Sequence, residues 1–187
     1  MPTLTPKTPM DLTADTAREA DTVALASDFD ALYEKHAAFV WRTLRSLGVP
    51  SEDTEDAAQE VFSTVFRKLN SFEGRSSLRT WLCGIAVGVA RNHTRKRRRR
   101  NGLDAALPQP STTSPSESTE ALDLVTRCLE DLDENLRMVF VLAELEQLTA
   151  PEIAEVLTVN VNTVYSRLRI ARERFEQSLE RHGGTRS

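Results

Sequence analysis

Residues 56–100 read DAAQEVFSTVFRKLNSFEGRSSLRTWLCGIAVGVARNHTRKRRRR, and this stretch decides the fold. Apolar side chains recur every three or four positions on both sides of residues 70–77, where a Gly and three Ser interrupt the pattern. This spacing predicts two amphipathic helices joined by a loop. The second helix ends in six consecutive basic residues, 95–100, which suit the negative C-terminal end of a helix dipole.

The sequence before this stretch predicts one more helix and a tail. Helical spacing begins at Phe29 and is stopped by Gly48 and Pro50. A new helix then begins at Ser51, where acidic residues favour the positive N-terminal end. Residues 1–27 are rich in Thr, Asp and Pro and have few large apolar side chains, which predicts a flexible acidic tail.

The chain changes character at residues 101–121, which read NGLDAALPQPSTTSPSESTEA. Three Pro and many Ser and Thr predict a flexible linker, and about 20 extended residues reach up to ~65–70 Å. No strand-like alternation of useful length occurs elsewhere. The sequence therefore predicts an all-α protein with two small helical domains, residues 28–100 and 122–182, followed by a short tail at 183–187.

A second informative stretch, residues 149–172, reads TAPEIAEVLTVNVNTVYSRLRIAR. Thr149 and Glu152 have the spacing of a capping box, with Pro in the first turn of the helix. This short helix, a tight turn at 158–161 and a longer helix predict a helix-turn-helix. With Val164 and the later apolar residues facing inward, the opposite face carries hydroxyl and Arg side chains that suit a DNA major groove.

The charge distribution also bears on nucleic-acid binding. A formal net charge of −4 argues against it, because DNA-binding domains usually carry a basic surplus. The cations are concentrated, however: residues 95–100 are all basic, whereas residues 1–94 hold 10 basic and 13 acidic residues. Such a run is a solvated helix end, a phosphate-binding patch or a nuclear-localisation signal, and the last of these does not explain the rest of the sequence. A smaller basic group follows near the C-terminus, at Arg167, Arg169, Arg172 and Arg174.

The sequence holds no pattern that indicates catalysis. The three His residues are not at metal-ligand spacing from Cys or carboxylates, and phosphate-loop, nucleophile-elbow and zinc-protease motifs are missing. Cys83 and Cys128 form no CxxC motif and are expected to be small buried residues in a reducing compartment. Neither a span of about 20 apolar residues nor a signal peptide is present. We expect a cytoplasmic protein that is not an enzyme and has no metal or cofactor.

The loop at 70–77 and the helix after it combine aromatic, basic and hydroxyl side chains. Phe72 and Trp81 are either core residues or surfaces on which an unstacked base would lie. An exposed loop with Arg75 and two Ser would hold such a base by hydrogen bonds. Spacing alone leaves both interpretations open.

Taken together, the two quoted stretches resemble the extracytoplasmic-function (ECF) sigma factors, the smallest members of the bacterial sigma-70 family. Residues 56–100 resemble sigma region 2, with its Gln-Glu-Val-Phe helix and its Thr-Trp-Leu helix that ends in basic residues. Residues 149–172 resemble sigma region 4, with its Glu-Ile-Ala, Thr-Val and Ser-Arg-Leu landmarks. The resemblance covers about residues 28–182 and implies a subunit that binds core RNA polymerase and directs it to particular promoters.

The resemblance also implies which residues do this. Region 2 would bind core polymerase through Asp56, Gln59, Glu60, Phe62 and Arg67. It would melt the minus-ten element through Arg75, Ser76, Ser77, Arg79, Thr80, Asn92, Arg95, Lys96, Arg97 and Arg98. Region 4 would read the minus-thirty-five element through Asn162, Thr163, Tyr165, Ser166, Arg167 and Arg169. An anti-sigma factor is a further implied partner, whereas a small-molecule substrate and direct membrane insertion are not expected.

The sequence departs from the family pattern at a few positions. Gly84 and Gly88 stand where the family usually has Arg and Asn, which removes polar side chains near the promoter-melting surface. Each Gly costs the helix about 1 kcal/mol relative to Ala. Thr158 stands where Gly is common at the turn, and Thr tolerates a left-handed backbone less well.

Three other interpretations remain from the residues alone. A conventional helix-turn-helix regulator would need a dimerisation element, and no heptad run supplies one. A helical interaction protein would titrate regulators without reading DNA. A small helical hydrolase with a carboxylate-bound metal would need a second ligand cluster besides the acidic residues at 52–60.

Overall fold

The computed structural model describes residues 29–101 and 117–183, and every element in those residues is a helix. The all-α prediction is therefore confirmed. The predicted tail at 1–27, residues 102–116 of the predicted linker and residues 184–187 lie outside the described residues. The helices are α1 (29–46), α2 (Ser51–Lys68), α3 (Leu78–Asn101), α4 (Glu117–Glu130), α5 (Glu134–Phe140), α6 (Ala150–Leu157) and α7 (Val161–Gly183). A 3-10 turn, Leu69–Ser71, follows α2, and a π-helical turn, Val141–Leu145, follows α5.

The chain divides into two compact units after Ala37. The described part of the first unit is the start of α1, where the rings of Phe29 and Tyr33 lie 6.5 Å apart. The second unit, residues 38–187, contains the rest of α1 and the other helices. The two helical segments that were predicted as separate domains thus contribute to one packed unit from residue 38 onward.

The turn between α1 and α2 forms as the Gly and Pro signals predict. Gly48 has a φ of +93°, which glycine adopts readily, and its N–H donates to the Arg45 carbonyl at 2.9 Å. The Val49 N–H donates to the Leu44 carbonyl at 3.0 Å. Behind this turn, α1, α2 and α3 share fully buried apolar side chains: Val40, Leu44, Val61, Val65 and Leu82. The helical spacing of α2 also predicts a buried Phe66, but its side chain is 54% exposed.

The loop before α3 ends at Ser77, which caps the N-terminus of the helix. The Ser77 hydroxyl accepts a hydrogen bond from the Thr80 N–H at 3.0 Å, which satisfies a donor in the first turn of α3. The Phe72 and Trp81 rings lie 5.0 Å apart and are both half-buried, so they pack on each other. The helix then continues through the whole basic run to Asn101.

The C-terminal half begins earlier than predicted. Helix α4 starts at Glu117, so residues 117–121 are helical rather than part of the linker. Apolar spacing could not reveal this start, because the first turn of α4 carries Ser, Thr and Glu. The Asp133 carboxylate caps α5 by accepting from the Asn135 and Leu136 N–H groups, both at 3.1 Å.

The helix-turn-helix is formed by α6 and α7. Thr149 and Glu152 make the predicted capping box, in which the Thr149 backbone N–H donates to Glu152 Oε2 at 2.8 Å. Thr158 ends α6 in a left-handed conformation, with φ +56° and ψ +50°. Val164 is fully buried as predicted. The helical spacing of α7 also predicts a buried Leu179, but its side chain is 40% exposed and the neighbouring Ser178 is buried instead.

Candidate nucleic-acid interface

The outer face of α2 carries most of the residues that the family resemblance assigns to polymerase binding. Asp56, Gln59 and Arg67 are exposed, and Glu60 is half-buried with its Oε2 3.3 Å from His93 Nε2. Phe62 differs, because its ring is only 4% exposed and belongs to the core. Its assignment as a polymerase contact is therefore not supported in this structure, since a buried ring offers no surface to a partner.

The loop before α3 presents one strongly exposed cation. The Arg75 guanidinium pairs with Glu73 at 3.1 Å, and both side chains are mostly in solvent. Ser76 is half-buried, and Ser77 is occupied as the helix cap described above. The loop thus combines a solvent-facing Arg with two hydroxyl groups at the start of α3.

Two further residues assigned to DNA, Arg79 and Thr80, bind carboxylates from the C-terminal half. Arg79 Nη2 lies 2.8 Å from Glu146 Oε2, and its guanidinium stands 4.7 Å from the centre of the Phe39 ring. The Thr80 hydroxyl donates to Glu152 Oε1 at 3.0 Å and is buried. In this arrangement Thr80 is closed to DNA. Sequence reasoning missed both glutamates, because their partners lie 67 and 72 residues away along the chain.

The basic end of α3 faces solvent along most of its length. Arg95, Lys96 and Arg98 are exposed, as is Asn92 one turn earlier, and Arg97 is half-buried. Arg98 Nη2 lies 3.3 Å from Glu134 Oε2 at the start of α5, a pair that leaves 72% of the Arg98 side chain accessible. Several exposed cations close together at one end of a helix form the kind of surface that contacts phosphates.

A groove of about 470 Å³ runs beside the middle of α3. Its lining includes Thr64, Trp81, Gly84, Gly88, Asn92 and Val156. An added Cβ at Gly88 would meet nothing within 4 Å, and one at Gly84 would meet Val156 Cγ2 at 4.0 Å. The two unusual glycines therefore leave an open trench on α3 that α6 borders.

The first turns of α7 carry an outward row of polar side chains. Asn160 Oδ1 accepts from the Asn162 N–H at 2.8 Å and so caps the helix. Tyr165 is 58% exposed, Asn162 and Ser166 are exposed, and Thr163 and Arg167 are half-buried. Arg169 is also exposed and pairs with Glu173 at 2.6 Å. All six residues assigned to the minus-thirty-five element thus lie on one helix, with their side chains at least partly accessible.

The remaining cations of the smaller basic group have internal partners. Arg172 Nη2 lies 2.6 Å from Glu144, and Arg174 Nη1 lies 3.3 Å from Asp133. These pairs tie α7 to the π-helical turn and to the start of α5. The smaller basic group therefore consists of two outward residues, Arg167 and Arg169, and two residues that form ion pairs with other elements of the fold.

Hydrogen bonds lower the pKa values of Asp131 and Glu152. The Ser178 hydroxyl, followed by His182, lowers the pKa of Asp131 below its ordinary value. The Thr149 hydroxyl lowers the pKa of Glu152 in the same direction, and Thr80 adds to this effect. Both groups are therefore ionised at neutral pH, as their ion-pairing and capping roles require.

Within residues 29–101 and 117–183, no cluster of His, Cys and carboxylate side chains could hold a metal ion. The same residues contain no helix with the length and apolarity that crossing a bilayer demands. Cys83 and Cys128 are both buried, and burial raises the pKa of Cys83 to about 12.

Comparison with known proteins identifies the two halves. Residues 32–100 match the family described as sigma-70 region 2, and residues 122–175 match sigma-70, region 4. The ECF RNA polymerase sigma-E factor of Escherichia coli K12 is 37% identical over 152 residues, which cover 74% of this chain and 80% of that protein. The chain belongs to the ECF sigma factors of the sigma-70 family.

One further relative agrees with this membership, and one solved structure shares the fold. The RNA polymerase sigma-H factor of Pseudomonas aeruginosa PAO1 is 30% identical over 168 residues, covering 81% of this sigma factor and 86% of its relative. The sigma factor RpoE of Bartonella quintana, solved in complex with the anti-sigma factor NepR, shares the fold with a TM-score of 0.73 at 22% identity. That similarity covers 82% of this sigma factor and 97% of the solved chain.

Membership defines the general activity. Sigma factors are initiation factors without enzymatic activity of their own, and this one serves promoter-directed transcription initiation with RNA polymerase. Region 2 includes α2 and α3, and region 4 includes the helix-turn-helix of α6 and α7.

Proposed function

We propose that this ECF sigma factor selects promoters through two separate surfaces on its described helices. The outward row at the start of α7 reads the minus-thirty-five element in the major groove. The exposed loop around Arg75 and the basic end of α3 hold the minus-ten element. The capped α7 row carries this proposal, because Tyr165, Ser166 and Arg169 combine exposure with donors that suit base edges and phosphates.

The outer face of α2 is proposed as the surface for core polymerase. Asp56, Gln59 and Arg67 are exposed on one helix and need no rearrangement to meet a partner. Phe62 contributes by holding the helix in place from inside the core.

The minus-ten surface combines two kinds of contact. Arg75 and Ser76 lie in the loop, where a single-stranded base can be approached from the side. Arg95, Lys96 and Arg98 supply cations for backbone phosphates, with Arg97 and Asn92 beside them. Arg79 and Thr80 complete the surface once their present carboxylate partners have withdrawn.

The proposal includes partners and location. Core polymerase and promoter DNA are the working partners, and an anti-sigma factor, like the one bound to the Bartonella quintana relative, is the proposed regulator. We place the protein in the cytoplasm and assign it no enzymatic activity, in line with its family.

The test is transcription in vitro with purified core polymerase and a library of randomised promoters. We expect the wild-type protein to direct initiation from one discrete pair of elements. The variant Arg169→Ala is expected to lose preference in the upstream element while it still migrates with core polymerase. The proposal is wrong if the protein neither binds core polymerase nor changes where it initiates.

A further inference from the structure

We infer that Gly84 and Gly88 are specificity-determining residues, because the trench that they leave on α3 selects an unstacked purine of the melted strand over a pyrimidine. The trench is the groove of about 470 Å³ described above. The inference rests on the proposed binding of the minus-ten element by region 2. It adds which class of base that surface prefers.

The trench exists because two consecutive turns of α3 lack a side chain on one face. Gly84 and Gly88 are separated by one helical turn and therefore lie on the same side of the helix. Beyond its chain neighbours and the backbone of its own helix, a Cβ added at Gly88 would meet no atom within 4 Å. One added at Gly84 would meet Val156 Cγ2 at 4.0 Å. The helix backbone thus forms a floor that an ordinary side chain would fill.

Most of the trench wall belongs to region 2. Its lining residues from region 4 are Glu155 and Val156 of α6. The other lining residues lie on α2, in the loop before α3 and on α3 itself. The trench can therefore receive a base through contacts with region 2 alone, whatever the position of α6.

The walls offer aromatic and apolar surface to the faces of a base. Trp81, in the first turn of α3, lines the trench, and its half-buried ring lies 5.0 Å from the Phe72 ring. Ile85 lines the trench one turn further along and is also half-buried. Single-stranded bases bind proteins largely by stacking, which every base can do. This surface therefore accounts for binding of a base but not for a choice among bases.

The size of the trench accounts for the choice. Its volume is comparable with the roughly 300–1,000 Å³ of pockets that hold small molecules. The second ring of a purine covers a longer stretch of the glycine floor and of Ile85 than a pyrimidine does. Because the gain from burying apolar surface grows with the area covered, the larger base binds more tightly. A side chain at position 88 would occupy the same space and remove this advantage.

The charged groups at the two ends of the trench orient the base. Lys68 is the last residue of α2, beside the loop, and attracts a phosphate. Glu60 lies at the other end, where its Oε2 is 3.3 Å from His93 Nε2. This carboxylate repels a phosphate but accepts from an exocyclic amino group, which extends further from the sugar in adenine than in cytosine. Asn92 lines the same end and has the amide that pairs with adenine N6 and N7.

The test measures binding of the holoenzyme, the sigma factor with core polymerase, to labelled single strands of the minus-ten element selected from the promoter library. Each position in turn carries A, G, C, T or an abasic site. At one position we expect wild-type holoenzyme to bind A or G about tenfold more tightly than C or T. The abasic strand should bind more weakly than either class, because it has no base to stack.

The decisive variant is Gly88→Leu, which fills the trench with a side chain that favours a helix and forms no hydrogen bond. It should abolish the purine preference. The matched control is Gly88→Ala, which also favours the helix but adds one methyl group to open space, and it should keep the preference. Gly84→Leu fills the trench from the neighbouring turn and should act like Gly88→Leu.

Three results would overturn the inference. The first is a wild-type holoenzyme that prefers pyrimidines, or neither class of base, at every position. The second is a purine preference that survives in both leucine variants. The third is loss of the preference in Gly88→Ala, because helix stability rather than space would then be its cause. Promoter-directed initiation is measured separately on the same holoenzymes, so the inference can fail while the proposed function stands.

Discussion

The starts of α3 and α7 carry the two proposed DNA surfaces, and they differ in what covers them. At α3, Arg79 and Thr80 are bound by Glu146 and Glu152 from the other region. At α7, Tyr165 and its neighbours face solvent, and the nearest ion pair, between Arg169 and Glu173, lies on the same helix. The surface on α7 is accessible in this structure, whereas access to Arg79 and Thr80 on α3 depends on the position of region 4.

The sharpest contrast between the regions is between one buried and one exposed aromatic ring. Phe62→Ala should lower the free energy of unfolding by about 3–5 kcal/mol, because it leaves a cavity in the core. Tyr165→Ala should change that free energy by about 0.5 kcal/mol or less, yet lower use of the minus-thirty-five element. Urea unfolding and transcription in vitro measure the two effects. Equal stability losses in both variants would contradict the contrast.

The basic end of α3 should account for much of the salt dependence of minus-ten binding. Replacing Arg95, Lys96 and Arg98 together by Gln should reduce the slope of log affinity against log salt by about 2, at about 0.7 per phosphate contact on a single strand. Titrations with labelled single-stranded DNA measure this slope. Arg127→Gln, an exposed cation on α4, is the control and should leave it unchanged. An unaltered slope in the triple variant would show that these cations do not contact DNA.

The two pairs of cations on α7 should behave differently. Arg169→Ala should cost about 1–3 kcal/mol of discrimination at the upstream element if its guanidinium reads a base edge. Arg172→Ala should leave promoter preference intact, because Arg172 is engaged with Glu144 inside region 4. Competition between promoter variants in vitro separates the two. A loss of core-polymerase binding by Arg169→Ala would indicate a structural role instead.

The smallest effect is expected at the turn between α6 and α7. Thr158 holds a left-handed backbone that costs a non-glycine residue about 1–2 kcal/mol. Thr158→Gly should raise the free energy of unfolding by about 0.5–1 kcal/mol, after subtraction of the added flexibility of the unfolded chain. Thr126→Gly within α4 is the control and should lower it. Thermal unfolding of both variants supplies the measurement.

The parts of the fold that were predictable depend on neighbours within about four residues. The stop at Gly48, the capping box at Thr149 and the buried Val164 all follow from such local rules. Phe66 and Leu179 were expected inside but are exposed, because apolar spacing marks a wider stripe than the neighbouring helices cover. Spacing therefore predicts a face of a helix better than it predicts the edges of that face.

The candidate site also divides into a part that could be predicted from the sequence and a part that could not, and more sharply than the fold does. The exposed row on α7 could be predicted from its helix-turn-helix pattern and from family resemblance. The engagement of Arg79 by Glu146 could not, because it joins side chains 67 residues apart and no local motif marks it. The family resemblance assigned Phe62 to polymerase binding from its position in the sequence, which carries no information about burial. Only the packing of α2 against the neighbouring helices shows that the Phe62 ring is buried.

The continuity of α3 has a geometric consequence for promoter architecture. With 24 residues in one unbroken helix, α3 is about 36 Å long and joins the loop beside Arg75 to the cations at its far end. In the proposed function, α3 therefore fixes the distance between the site for an unstacked base and the site for the flanking backbone. Inserting a single residue into it would rotate the far cations by about 100° away from that line. The proposal thus implies that helix length, rather than adjustable loops, sets the spacing of contacts along the melted strand.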